Sequence, residues 1–153
     1  SMDNQALQTL LSEILPDTEI IQGGQFVEIN LDPAQLHTAL AILKTNEQCK
    51  FNFLFCETGI DLNGKLGVVY HLRSTELGHS CVCRVFAESR ENPVLDSAAD
   101  LWSAALFYER EIFDLFGIKF NNHPDLRRLF LEDDFVGHPL RKDFEDPINI
   151  IRK

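Results

Sequence analysis

The sequence predicts an α+β fold: a mixed, largely antiparallel four-stranded sheet, helices packed on one face, and an extended C-terminal arm. Three observations predict it. Hydrophobic periodicity runs helix, strand, helix, three consecutive strands, helix. An Asn63-Gly64 pair, the strongest short hairpin signal, separates two of the strands. From Phe120 onward the spacing turns irregular while Arg, Phe and Leu stay abundant, which suits a segment that folds onto another surface. Residues 1–119 are therefore expected to form the globular domain and residues 120–153 a docking arm.

The elements follow in order. Leu7, Leu10, Leu11, Ile14 and Leu15 share one side of a helix from Asn4 to Leu15, which Pro16 ends. Gly23-Gly24 is a turn, and Gln25 to Leu31 alternates as a half-buried strand. Asp32-Pro33 supplies a cap and a first-turn proline for a second helix, whose buried stripe is Leu36, Ala39, Leu40 and Leu43. Phe51 to Glu57, Lys65 to Arg73 and Cys81 to Glu88 form a three-stranded meander. Ser97 and Asp100 have capping-box spacing, so the third helix is expected to open there and to close at Gly117.

Composition narrows the function. A formal net charge of −10 disfavours nucleic acid and direct adhesion to an anionic bilayer. No apolar run reaches the roughly 20 residues that a spanning helix needs, so no direct membrane insertion is expected. The start, Ser1-Met2-Asp3, has no basic-then-apolar leader pattern. Cys49, Cys56, Cys81 and Cys83 contain no C-x-x-C pair and read as free thiols rather than cluster ligands.

The informative stretch lies between Tyr108 and Phe144. Glu109 falls in the middle of the apolar face of the third helix, where a carboxylate must be paired or protonated. An ion pair with Arg127 or Arg128 is the expected solution, and Arg110 with Asp114 is an expected i, i+4 pair. Phe107 and Leu115 make a second apolar side beside Glu111, so a partner is expected to cover it. His123 and His138 each precede a proline, which favours extended docking segments. A free-standing metal or acid–base enzyme built on His123, His138, Asp125 and Asp143 is the rival reading; no histidine pair has helical i, i+4 spacing to support it.

The run Glu109-Arg110-Glu111, Asp114 to Ile118, His123 to Arg128 and Gly137 to Asp143 resembles the signature of the C-type subunit of respiratory complex I, the proton-pumping NADH:quinone oxidoreductase. Phe113 departs from it, standing where that family more often has Tyr or Trp. The resemblance implies a peripheral scaffold on the cytoplasmic side of the inner membrane, packed beside the large D-type subunit and other peripheral-arm subunits. It implies that this chain binds no cofactor, while NAD, FMN, iron–sulfur clusters and quinone belong to the assembled complex. Glu109, Arg110, Glu111, Asp114, His123, Asp125, Arg127, Arg128, His138, Arg141 and Lys142 become candidates for interface or ion-pair roles, and none for a catalytic step. An equivalent scaffold in a membrane-bound hydrogenase or formate-oxidising complex is the related alternative.

Overall fold

The computed structural model describes residues 2–126 and 137–142. Helix α1 (Asn4–Ile14) starts on the Asp3 carboxylate, which accepts the Ala6 amide at 2.8 Å. Strands β1 (Glu19–Gln22) and β2 (Val27–Leu31) follow, then a short 3-10 turn (Pro33–Gln35) and α2 (Leu36–Thr45). Asp32 caps that 3-10 turn rather than the α-helix itself, accepting the Ala34 amide at 3.0 Å. Next come β3 (Phe53–Leu62), β4 (Lys65–Arg73) and β5 (Ser80–Phe86). Asn63 and Gly64, both at positive φ (53° and 77°), join β3 to β4 in the conformation their pairing favours.

The main sheet has five strands, in the order β1-β2-β5-β4-β3, and not the four expected. The extra member is β1, which pairs antiparallel with β2. It is four residues long and largely exposed, so it carries no apolar alternation to announce it. Backbone pairing holds it, helped by the Gln8 side chain, which donates to the Ile20 carbonyl at 3.2 Å. Only β2 and β5 pair in parallel, so the sheet is mixed and largely antiparallel, as the periodicity implied.

Alternation assigns the faces. Val27, Ile29 and Leu31 of β2, Leu66, Val68, Tyr70 and Leu72 of β4, and Cys81, Cys83 and Val85 of β5 are buried. The leucines of α1 and α2 join the same core. The four cysteines are free thiols, with Cys56 half-buried and the others buried.

Edge strand β3 breaks its own alternation. A register shift between Leu54 and Cys56 adds one residue, so Leu54 opposite Leu72 and Glu57 opposite Tyr70 are both buried. A carboxylate thereby enters the core from a strand whose simple period would have sent it outward.

A second, two-stranded sheet pairs β6 (Val94–Asp96) with β7 (Lys119–Asn121) in parallel, and α3 (Ala105–Phe116) connects them. The expected start of this helix at Ser97 is corrected: residues 97–104 form turns, with the Leu101 and Trp102 amides both donating to the Ala98 carbonyl. The Ser97 oxygen accepts the Ala99 amide at 3.0 Å and so caps this turn rather than the helix, while its hydrogen goes to Glu109 and Asp100 pairs with His37. The expected point of departure at Phe120 falls inside β7, where that ring is buried. Gly117 ends α3 in the left-handed region at φ 80°, as its position predicted.

Candidate functional site

Two groups of contacts converge on α3. On its inner side Glu109 is fully buried. Its carboxylate accepts the Ser97 hydroxyl at 2.5 Å and the Ala98 amide at 2.9 Å. Glu57 of β3 meets it there, carboxyl to carboxyl. Burial strips water from Glu57 and the Glu109 charge opposes its ionisation, so its pKa is raised well above the ordinary value. Burial also raises Glu109, but the Ala98 amide and the Ser97 hydroxyl stabilise its charge and hold it back. Tyr108 adds an edge contact, its hydroxyl donating to the Phe55 carbonyl at the bulge (2.9 Å). On the outer side of α3, Leu106 and Phe107 are exposed, Phe107 by 49%.

At the other end of α3, residues 137–142 lie back on the domain. A helix terminus leaves carbonyls without intrahelical donors. Here His138 Nδ1–H donates to the Asp114 carbonyl at 2.8 Å, and the Leu140 amide to Leu115 at 2.9 Å. A Cβ on Gly117 would come within 2.7 Å of His138 Cδ2, so this glycine serves both the positive φ and the approach of the ring. Asp61, at the end of β3, takes Arg90 in a two-pronged pair (2.8 and 2.9 Å) and accepts the Lys142 amide at 2.8 Å. Arg141 reaches the Arg90 carbonyl at 2.9 Å.

The Arg90 hydrogen bonds lower the Asp61 pKa from 3.8 to about 2. A depressed carboxylate pKa contributes stability that is complete above its unfolded value and is lost as pH falls through the folded one. Asp61→Ala is expected to cost on the order of 1–2 kcal/mol, since the partly exposed guanidinium is screened by water. In wild type the same contribution should fade between about pH 4 and about pH 2. Acid and denaturant titrations followed by circular dichroism check both; a variant with unchanged acid sensitivity would count against the pair.

The family model described as respiratory-chain NADH dehydrogenase, 30 Kd subunit, matches residues 29–147. The chain belongs to that family. The NADH-quinone oxidoreductase C subunit of Moorella thermoacetica is 40% identical over 136 residues, covering 88% of this chain and 90% of that one. The C/D subunit of the same enzyme from Phocaeicola vulgatus is 43% identical over 125 residues, which is 81% of this chain but 24% of that protein. The chain thus spans about a quarter of the length of the C/D relatives it matches. Among solved structures, the trypsin-resistant fragment (1–134) of Nqo5 superposes with a TM-score of 0.68 at 32% identity, covering 78% of this chain and 98% of that one. A chain of the archaeal membrane-bound sulfane sulfur reductase reaches 0.79 at 23% identity, covering 94% of this chain and 86% of that one, a likeness of fold alone.

In this member of the family the signature residues separate into distinct surroundings. Glu109 and Asp114 are fully buried, and Arg110 and Glu111 half-buried. The expected Arg110–Asp114 pair is not among the ion pairs of the described residues. Asp114 is fully buried, not at the exposed helix surface that such a pair was expected to occupy. His123 Nε2–H donates to the Leu106 carbonyl at 2.9 Å while Nδ1 accepts the Asp125 amide at 3.0 Å, which together hold the ring in one orientation. His138, Arg141 and Lys142 gather at the end of α3, as above. Arg127 and Arg128, the expected partners of Glu109, lie outside the described residues. The described contacts of Glu109 are Ser97, Ala98 and Glu57.

Sequence reasoning missed Glu57, Asp61 and Arg90. Only the bulge puts Glu57 inside, and nothing in the spacing joins Asp61 to Arg90 across 29 residues. Among the described residues no three His, Cys, Asp or Glu side chains gather as a metal centre. Nor is any described helix long and apolar enough to cross a membrane.

Proposed function

We propose that this chain is the C-type component of an NADH:quinone oxidoreductase, a scaffold that performs no chemical step and holds the quinone-reducing subunits in register. The observation that carries the reading is the outer side of α3. Leu106 and Phe107 are presented to solvent on a helix whose inner side is fixed by Glu109 and whose end is fixed by residues 137–142. An exposed aromatic on a rigid helix is the kind of anchor that protein interfaces use. The names of the C/D relatives support a D-type subunit as the partner, because a C-like segment and its neighbour there share one polypeptide. Arg127 and Arg128 belong to the same proposed contact.

The scaffold acts through position. When the complex is assembled, NADH, FMN, iron–sulfur clusters and quinone supply the redox chemistry in other subunits. This chain fixes their mutual orientation, on which transfer depends steeply. It associates with the cytoplasmic side of the membrane through the complex.

The test is affinity purification from native membranes with wild type and a Leu106→Asp/Phe107→Asp variant. Recovery of the D-type subunit is expected to fall by an order of magnitude or more, as loss of an anchor of about 2 kcal/mol implies. The variant itself should keep its circular dichroism spectrum. Unchanged recovery with full quinone reductase activity would exclude this face as the contact.

A further inference from the structure

We infer that Glu57 and Glu109 share a single proton, carried by Glu57 and accepted by Glu109, and that this proton latches α3 to the sheet and exchanges with solvent through Ser97.

The donors decide which carboxyl is charged. Glu109 receives an O–H and an N–H, both of which need an acceptor. Neither Glu57 oxygen has a donor among the described residues, and both are fully buried. A carboxylate in that position would be bare, whereas a carboxylic acid has one good use for its hydrogen: donation to Glu109. With the proton in place the pair carries one negative charge and a charge-assisted hydrogen bond. Without it, two anions face each other in the core.

The surroundings offer little relief. Near Glu57 are Cys56 on its own strand, Tyr70 from β4 and Tyr108 from α3, with Cys83 and Asp96 beyond Tyr70. None can be cationic. The Tyr70 hydroxyl, also buried, makes no hydrogen bond among the described residues. His123, from after β7, favours the charged form of Glu109, and its ring is held in place by the Leu106 carbonyl and the Asp125 amide.

The exit is built into the same contacts. Ser97, bonded to Glu109 on one side, also lines a cavity of about 470 Å³ together with His37, Asp96, Asp100 and Asn122. A proton lost from the pair therefore has a hydroxyl between it and open solvent. The burial-raised pKa of Glu57 sets the sign. A raised carboxyl pKa gives stability that is complete below the ordinary value and drains away as pH rises towards the folded value. Alkaline conditions should therefore loosen α3. This holds whether or not α3 is the docking helix.

The experiment uses the full chain, alone, with Glu57→Gln as comparison. Infrared spectra at neutral pH should show a protonated-carboxyl C=O band that the variant lacks. The melting temperature of wild type should fall from mildly acid to mildly alkaline pH, with a flatter slope in Glu57→Gln, because its amide donates to Glu109 without titrating. Absence of the acid band from wild type would overturn the inference even if the variant failed to fold. So would equal slopes in the two proteins.

Discussion

Trp102→Ala is expected to cost about 3–5 kcal/mol, the range for removing a large buried aromatic. The ring is 5% exposed, and Nε1–H donates to the Phe51 carbonyl at 3.0 Å. Phe51 is itself buried, and its amide is bonded to the Leu43 carbonyl at the end of α2. One indole thus ties the turn before α3 to the link between α2 and β3. Its removal leaves a void and an unpaired buried carbonyl. Since domains are stable by only about 5–15 kcal/mol, the loss is a large share of the total. Trp102→Phe keeps most of the packing and should cost nearer 1 kcal/mol, from the lost hydrogen bond. Trp102 is the only tryptophan, so the unfolding midpoint must be followed by circular dichroism rather than fluorescence. Equal midpoints for wild type and Trp102→Ala would show that the turn is not seated as described.

Glu109→Ala should be comparably damaging, at about 3–5 kcal/mol. The substitution takes away the one acceptor shared by the Ser97 hydroxyl, the Ala98 amide and the Glu57 acid. Each belongs to a buried residue. Glu111→Ala, two residues along the same helix but half-buried, should fall within about 0.5 kcal/mol of wild type. Denaturant unfolding of the two variants separates a core carboxylate from a surface one. Similar values for both would sink the assignment of Glu109 as an interior acceptor.

These two residues show how far the sequence could be read. Wherever apolar side chains keep a simple period, the elements were legible: the leucine stripes of α1 and α2, the alternation of β2, β4 and β5, and the Asn63-Gly64 hairpin. The burial of Glu109 was legible too, because a carboxylate interrupting an apolar face is a local anomaly. Its partners were not. Ser97 does accept a local amide, from Ala99, but the acceptor of its own hydrogen lies 12 residues away and is reachable only once the chain has turned. Glu57 was hidden because a single added residue in β3 reverses its face, and side-chain period alone does not reveal a bulge. β1 was hidden for a different reason: it is held chiefly by its neighbour's backbone. The signature residues drew attention to α3, while Asp61 and Arg90, which secure the segment beyond it, come from parts of the chain with no such pattern.

The parallel pairing of β6 with β7 has a mechanical consequence. Those two short strands bracket α3, so both ends of the helix are anchored at one small patch outside the main sheet. The Tyr108 hydroxyl and the Glu57–Glu109 contact tie the middle of the same helix to edge strand β3. Held at both ends and along its inner side, α3 has little freedom to turn, and the direction in which Leu106 and Phe107 face is set by the fold itself.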